Sequence, residues 1–96
     1  MKLEKIKFKI NATLRDENLN PRQIRSNGFI PVTIYGKGME SISAQVKDAD
    51  FILSYRDNKE GLYTLELDKK SFEVQVQNVQ KNYATNEVQN VEFKVL

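Results

Sequence analysis

Apolar residues recur at every second position in several separate segments of this chain, a spacing that commits them to strands with one buried face. Residues 5–15 set the pattern. Ile6, Phe8, Ile10, Ala12 and Leu14 project to one side, and Lys5, Lys7, Lys9, Asn11, Thr13 and Arg15 to the other. One face is core; the opposite face is polar and mostly cationic. Residues 62–67 repeat the alternation through Tyr63, Leu65 and Leu67, and residues 71–76 through Phe72, Val74 and Val76. Residues 68–70 form the turn of that hairpin, with no glycine to mark a favoured turn type. At Asn78-Val79 the alternation slips by one residue, which predicts a bulge or a strand end. Residues 80–87 read as a polar loop, and Val91, Phe93 and Val95 place a last strand. Residues 30–35 and 42–46 supply two more strands, the first ended by Gly36-Lys37-Gly38. No internal repeat, linker or low-complexity tract interrupts the series.

The segment PRQIRSNGFIPVTIYG, residues 21–36, breaks the alternation with a short helix. A polar connection, residues 16–20, leads into it. Asn20 is a good N-cap, and Pro21 sits at the first helical position, where its missing N–H costs nothing. Gly28 suits the left-handed conformation that ends a helix, and Pro31 forbids a restart nearby. Arg22 and Arg25 are three apart, so both guanidinium groups lie on one helix face. A second helix begins with Asp48 or Asp50 as cap and reaches Tyr55 or Arg56, with Phe51, Ile52 and Tyr55 as its apolar stripe. Residues 57–61 are a loop. Six or so strands and two short helices in 96 residues predict one β-rich domain, either a barrel or a folded sheet.

What the chain lacks narrows its chemistry. It contains no cysteine and no histidine, so the thiolate nucleophile and the commonest general base and metal ligand are all missing. The serines have nothing to activate them. Asp57-x-Lys59-Glu60 lacks the ligand spacing of a calcium loop. Gly36-Lys37-Gly38 is too short to cradle phosphate. No enzyme activity, metal or cofactor is expected. No apolar run approaches the ~20 residues of a membrane span, and MKLEKIKFKI lacks the apolar core of a secretory signal. A cytoplasmic location away from membranes is therefore expected.

Net charge is only +2, but residues 1–37 hold eight Lys/Arg against three Asp/Glu, while residues 38–96 hold seven against ten. A basic first third points to a polyanion on one side of the molecule. Arg15, Arg22 and Arg25 supply phosphate-matching forks. Gln75 and Gln77 share a hairpin face, Gln80 follows, and Asn90 and Glu92 share a face of the last strand. Arginines anchor phosphates; amides and a carboxylate read base edges or ribose hydroxyls. The combination describes a polar RNA interface.

These residues carry a family likeness. Arg22-x-x-Arg25-x-x-Gly28-x-x-Pro31 followed by Ile34-Tyr35-Gly36, then Gln77-Asn78-Val79-Gln80-Lys81 and Asn90-Val91-Glu92-Phe93, resembles the bacterial 50S ribosomal protein L-twenty-five family, which binds 5S rRNA. Phe8-Lys9-Ile10-Asn11-Ala12 with Arg15 fits as well. The resemblance implies a single domain over residues 1–96, mainly β with short helices, forming a six-stranded barrel-like body. It also implies a non-enzymatic role in the central protuberance of the large subunit, on loop E of 5S rRNA and beside other large-subunit proteins, with a monomer when free. Carried over by position, Arg15, Arg22 and Arg25 would meet phosphates, Tyr35 would lie close to the RNA, Gln77 and Gln80 would reach into a groove, and Asn90 and Glu92 would sit beside them.

The chain departs from the family pattern in several places. Asn82-Tyr83 replaces a His-Pro pair, so the loop is expected to follow another path. Asn90 stands for a histidine and Glu92 for an aspartate. Residues 16–20 replace a lysine- and glycine-rich stretch, which predicts a shallower salt dependence. The extra C-terminal domain of the longer Ctc-type members is expected to be lacking. The alternative reading is a protein-interaction module or an anticodon-binding-like β-barrel, motivated by the acidic balance of residues 38–96.

Overall fold

The computed structural model describes residues 8–96. Its elements run β1 (Lys9–Leu14), α1 (Pro21–Ser26), β2 (Phe29–Tyr35), β3 (Ile42–Lys47), α2 (Asp48–Tyr55), β4 (Leu62–Leu67), β5 (Lys70–Asn82) and β6 (Glu87–Val95). The six strands close into a barrel in the order β1-β3-β2-β6-β5-β4. Two seams, β1–β4 and β2–β6, are parallel; the other four pairings are antiparallel. Of the two architectures that alternation leaves open, closure removes every sheet edge and buries every apolar face at once. The beginning of the strand expected at Lys5, with Ile6 and Lys7, lies outside the described residues.

Inward side chains fill the barrel. Ile10, Ala12, Ile30, Val32, Ile34, Ala44, Val46, Tyr63, Leu65, Val74, Val91 and Phe93 are buried as the alternation requires. Phe51 of α2 closes one end, within ring-pairing distance of Tyr63 and Phe93 at centroid separations of 6.0 and 6.2 Å. Burial pushes the Tyr63 phenol above its ordinary pKa, against the opposing effect of its bond to Ser54. The neutral hydroxyl therefore stays in its 2.9 Å hydrogen bond with Ser54 Oγ. Asn58 holds the loop into β4, accepting from the Gly61 and Leu62 amides and donating to the Leu62 carbonyl.

Four expectations need correction. Leu14 lies on the inward side by parity but sits at the barrel's rim and is 57% exposed. Asp48 and Asp50 lie in the first turn of α2 without capping it; the N-cap is Lys47, which makes no side-chain cap bond. There the two carboxylates complement the helix dipole. Of the apolar stripe Phe51, Ile52 and Tyr55, only Phe51 is buried, because α2 meets the barrel end through Phe51 and Ser54 and not along its length. Finally, the polar segment 80–87 is mostly strand. β5 continues to Asn82, β6 starts at Glu87, and Lys81 pairs with Val88 and Asn82 with Glu87.

The slip in alternation has a specific origin. The tetrapeptide Val-Gln-Asn-Val occurs twice, at residues 76–79 and 88–91. In a regular strand its two valines would point to opposite faces. Instead the β5–β6 register skips Gln77 between the Val76–Phe93 and Asn78–Glu92 pairs, and skips Gln89 between the Gln80–Asn90 and Lys81–Val88 pairs. Each skipped glutamine is a bulge residue that keeps both valines of its tetrapeptide on one side and two amides on the other. The bulge thus falls at Gln77, one residue before the expected slip, and a second one lies across from it on β6.

Candidate nucleic-acid interface

α1 is built as its residues dictate. The Asn20 side chain accepts from the Gln23 amide and the Gln23 side chain accepts from the Asn20 amide, both at 2.9 Å, a reciprocal capping box. Pro21 occupies the first turn. Gly28 follows the helix with φ of +87°, the left-handed region that glycine enters without strain. Its carbonyl accepts from the Asp48 amide at 2.9 Å, which ties the helix exit to the start of α2. Ile24 is 1% exposed yet lies outside the barrel's interior cluster. It secures α1 against the outer side of β2, where Pro31 is also buried.

That mount directs Arg25 across the β2–β6 seam. Its Nη1 donates to the carbonyl of the bulged Gln89 at 3.4 Å. Arg15 reaches the same place from β1, its backbone amide donating to the Ser43 carbonyl at 3.3 Å and so extending the β1–β3 ladder past Leu14. Arg15, Arg25 and Asn90 line one cleft of about 80 Å³ together with Pro21, Pro31, Thr33 and Gln89. Arg22 is exposed on α1 and does not line that cleft.

The amides continue from the cleft as two rows on the outer face. In the first, Gln80 pairs with Asn90, whose Nδ2 donates to Gln80 Oε1 at 2.8 Å. This bond leaves Asn90 Oδ1 and Gln80 Nε2, an acceptor and a donor, without a partner among the described residues. In the second row Asn78 pairs with Glu92, Glu92 with Thr33, and Thr33 with Ser43, crossing β5, β6, β2 and β3. Gln77 stands exposed beside Asn78 as the bulge residue. Tyr35 is half-buried two positions beyond Thr33 on the same face, in register with Lys94.

The structure therefore brings Arg15, Arg25, Gln77, Gln80, Asn90 and Glu92 to one side of the barrel, with Tyr35 at its margin and Arg22 above it on α1. Sequence reasoning missed Asn78, Thr33 and Gln89. Their signal was present in the doubled polar step of each Val-Gln-Asn-Val, which requires an outward amide pair wherever both valines stay inside. Gln75 shares the hairpin face but turns away to donate to the Glu60 carbonyl at 3.1 Å.

Among the described residues the one ion pair is Lys9 with Glu66, on the β1–β4 seam. None of Arg15, Arg22, Arg25 or Glu92 enters one. Nor does any group of His, Cys, Asp or Glu among the described residues stand close enough to hold a metal. No described helix is long and apolar enough to cross a membrane. The arrangement is a set of outward cations beside a row of amide donors and acceptors, which fits phosphate anchoring next to readout of base or ribose edges.

Comparison with known proteins points the same way. The family described as Ribosomal L25p matches residues 10–93 of this chain. Large ribosomal subunit protein bL25 of Ehrlichia chaffeensis is 38% identical over 92 residues, covering 92% of this chain and 44% of its own length. The protein of the same description from Helicobacter acinonychis is 36% identical over 74 residues, covering 77% of this chain and 42% of its own. The chain thus spans less than half the length of these curated relatives.

Proposed function

The chain belongs to the Ribosomal L25p family, and on that premise we propose that it is a structural component of the large ribosomal subunit that binds ribosomal RNA through the β2–β6–β5 face, with loop E of 5S rRNA in the central protuberance as its target. One observation carries the reading: Arg15 and Arg25 line the same cleft as Asn90, which is hydrogen-bonded to Gln80. Phosphate anchors and an amide edge are thereby presented to one ligand at fixed spacing. A protein that only bound charge would need no amide row; one that only read bases would need no arginine mount. Arg25 is half-committed, holding a backbone carbonyl with one nitrogen, so its fork is oriented before RNA arrives. Such pre-ordering lowers the entropy lost on binding.

The role is one of position and adhesion within the ribosome, not of catalysis. Titration of a loop E fragment against the purified protein in a gel-shift assay tests it. Tighter binding to loop E than to a scrambled hairpin of equal length is expected; equal binding would reject the proposal. Arg22→Ala should lower the dependence of log affinity on log salt by about 0.7 to 0.9, the loss of one phosphate contact. An unchanged slope would remove Arg22 from the contact set.

A further inference from the structure

We propose that Tyr83 stacks on an unpaired base of the bound RNA, extending the interface beyond the amide rows to the tip of the β5–β6 hairpin; this rests on the RNA-binding reading above. Tyr83 is 97% exposed, the most exposed large hydrophobic residue among those described. Most of the other rings have structural work: Phe51, Tyr63 and Phe93 fill the core, Phe72 packs against it, Phe8 pairs with Tyr63, and Tyr55 stacks on Phe51 at 5.0 Å. Tyr83 enters no ring pair among the described residues, and its side chain contributes nothing to the barrel.

The turn that carries it, by contrast, is closed by hydrogen bonds on either side. Asn82 Oδ1 accepts from the Ala84 amide at 2.9 Å, and the Asn82 carbonyl accepts from the Asn86 amide at 2.6 Å. Asn86 takes a left-handed φ of 62°, which asparagine tolerates. The ladder below the turn continues through Lys81–Val88 and Asn82–Glu87, past Val32–Val91 where β2–β6 pairing begins. A two-stranded, hydrogen-bonded arm thus carries a bare aromatic ring three residues beyond Gln80, a span of about 10 Å at strand rise.

The chemistry of the tip selects the partner. Asn82, Ala84, Thr85 and Asn86 are uncharged, and the flanking Lys81 and Glu87 cancel. Phosphate attraction does not explain the arm; a flat ring with a polar edge does. Splayed bases of folded RNA are held by such rings, and truncating one to alanine commonly weakens single-strand binding by about 5-fold to 150-fold.

The chain contains no tryptophan, so Tyr83→Trp places a single indole at the tip. Its emission should be quenched on titration with the 5S rRNA loop E fragment. Leu53→Trp, on the exposed side of α2, should not respond. In gel shift, Tyr83→Ala and Tyr83→Leu should bind about tenfold more weakly with an unchanged salt slope, while Tyr83→Phe should bind like the parent chain. Parental binding with an unquenched indole and an undiminished Tyr83→Ala would overturn the stacking proposal and leave the RNA reading standing. Failure of the parent chain itself to bind the fragment would overturn both.

Discussion

The barrel closes through two parallel seams, and they treat charge in opposite ways. On β1–β4, Lys9 and Glu66 meet at 2.8 Å across an uninterrupted register. On β2–β6, Thr33 faces Glu92 and Tyr35 faces Lys94, and no ion pair forms among the described residues. The guanidinium poised over that second seam is given a backbone carbonyl in place of a carboxylate. The first seam pairs its charges within the chain; the second leaves Glu92 and Lys94 without an ionic partner among the described residues. The covering differs too. α1 lies over β2, and the β5–β6 bulges crowd amides beside it, whereas β1–β4 has neither.

Ile24→Ala attacks the comparison hardest. It removes the buried side chain that secures α1, so stability should fall by about 2 to 4 kcal/mol in urea titration, and RNA affinity should drop further than for Arg22→Ala. Full retention of both would mean that α1 is held by other contacts. Arg25→Ala should weaken RNA binding by about tenfold and lower the salt slope, whereas Asn90→Ala should weaken it by about 1 kcal/mol with no change in slope, since only a neutral hydrogen bond is lost. Gel shifts at several salt concentrations distinguish the two effects. At the other seam, a Lys9→Ala, Glu66→Ala double-mutant cycle should report a coupling of about 0.2 to 1 kcal/mol that shrinks with salt. RNA affinity should not change in either single variant. A large loss of RNA binding on Lys9→Ala would erase the distinction between the seams.

Much of this body was legible from residue order. The capping of α1 by Asn20 and Pro21, its end at Gly28 and the bounds of β4 followed from local chemistry alone. The outer arm of the β5–β6 hairpin was not legible, because strands that project beyond a core have no apolar face and so no alternation to detect. Leu14 at the rim and Ile52 and Tyr55 on α2 were misplaced for a related reason: periodicity gives the side a residue faces but not where the barrel ends. Of the site, Arg15, Arg22, Arg25, Gln77, Gln80, Asn90 and Glu92 could be nominated one by one. The meeting of Arg25 with the Gln89 carbonyl, 64 residues away, depends on barrel closure, which local spacing does not encode.

The twin Val-Gln-Asn-Val steps also separate scaffold from text. The valines fix which side of β5 and β6 faces inward, so positions 77, 78, 89 and 90 are lettering on a frame that does not depend on what they spell. A library varied at those four positions with other polar residues would leave core volume untouched. On the RNA-binding reading proposed above, the same barrel is a starting point for proteins that grip differently shaped RNAs.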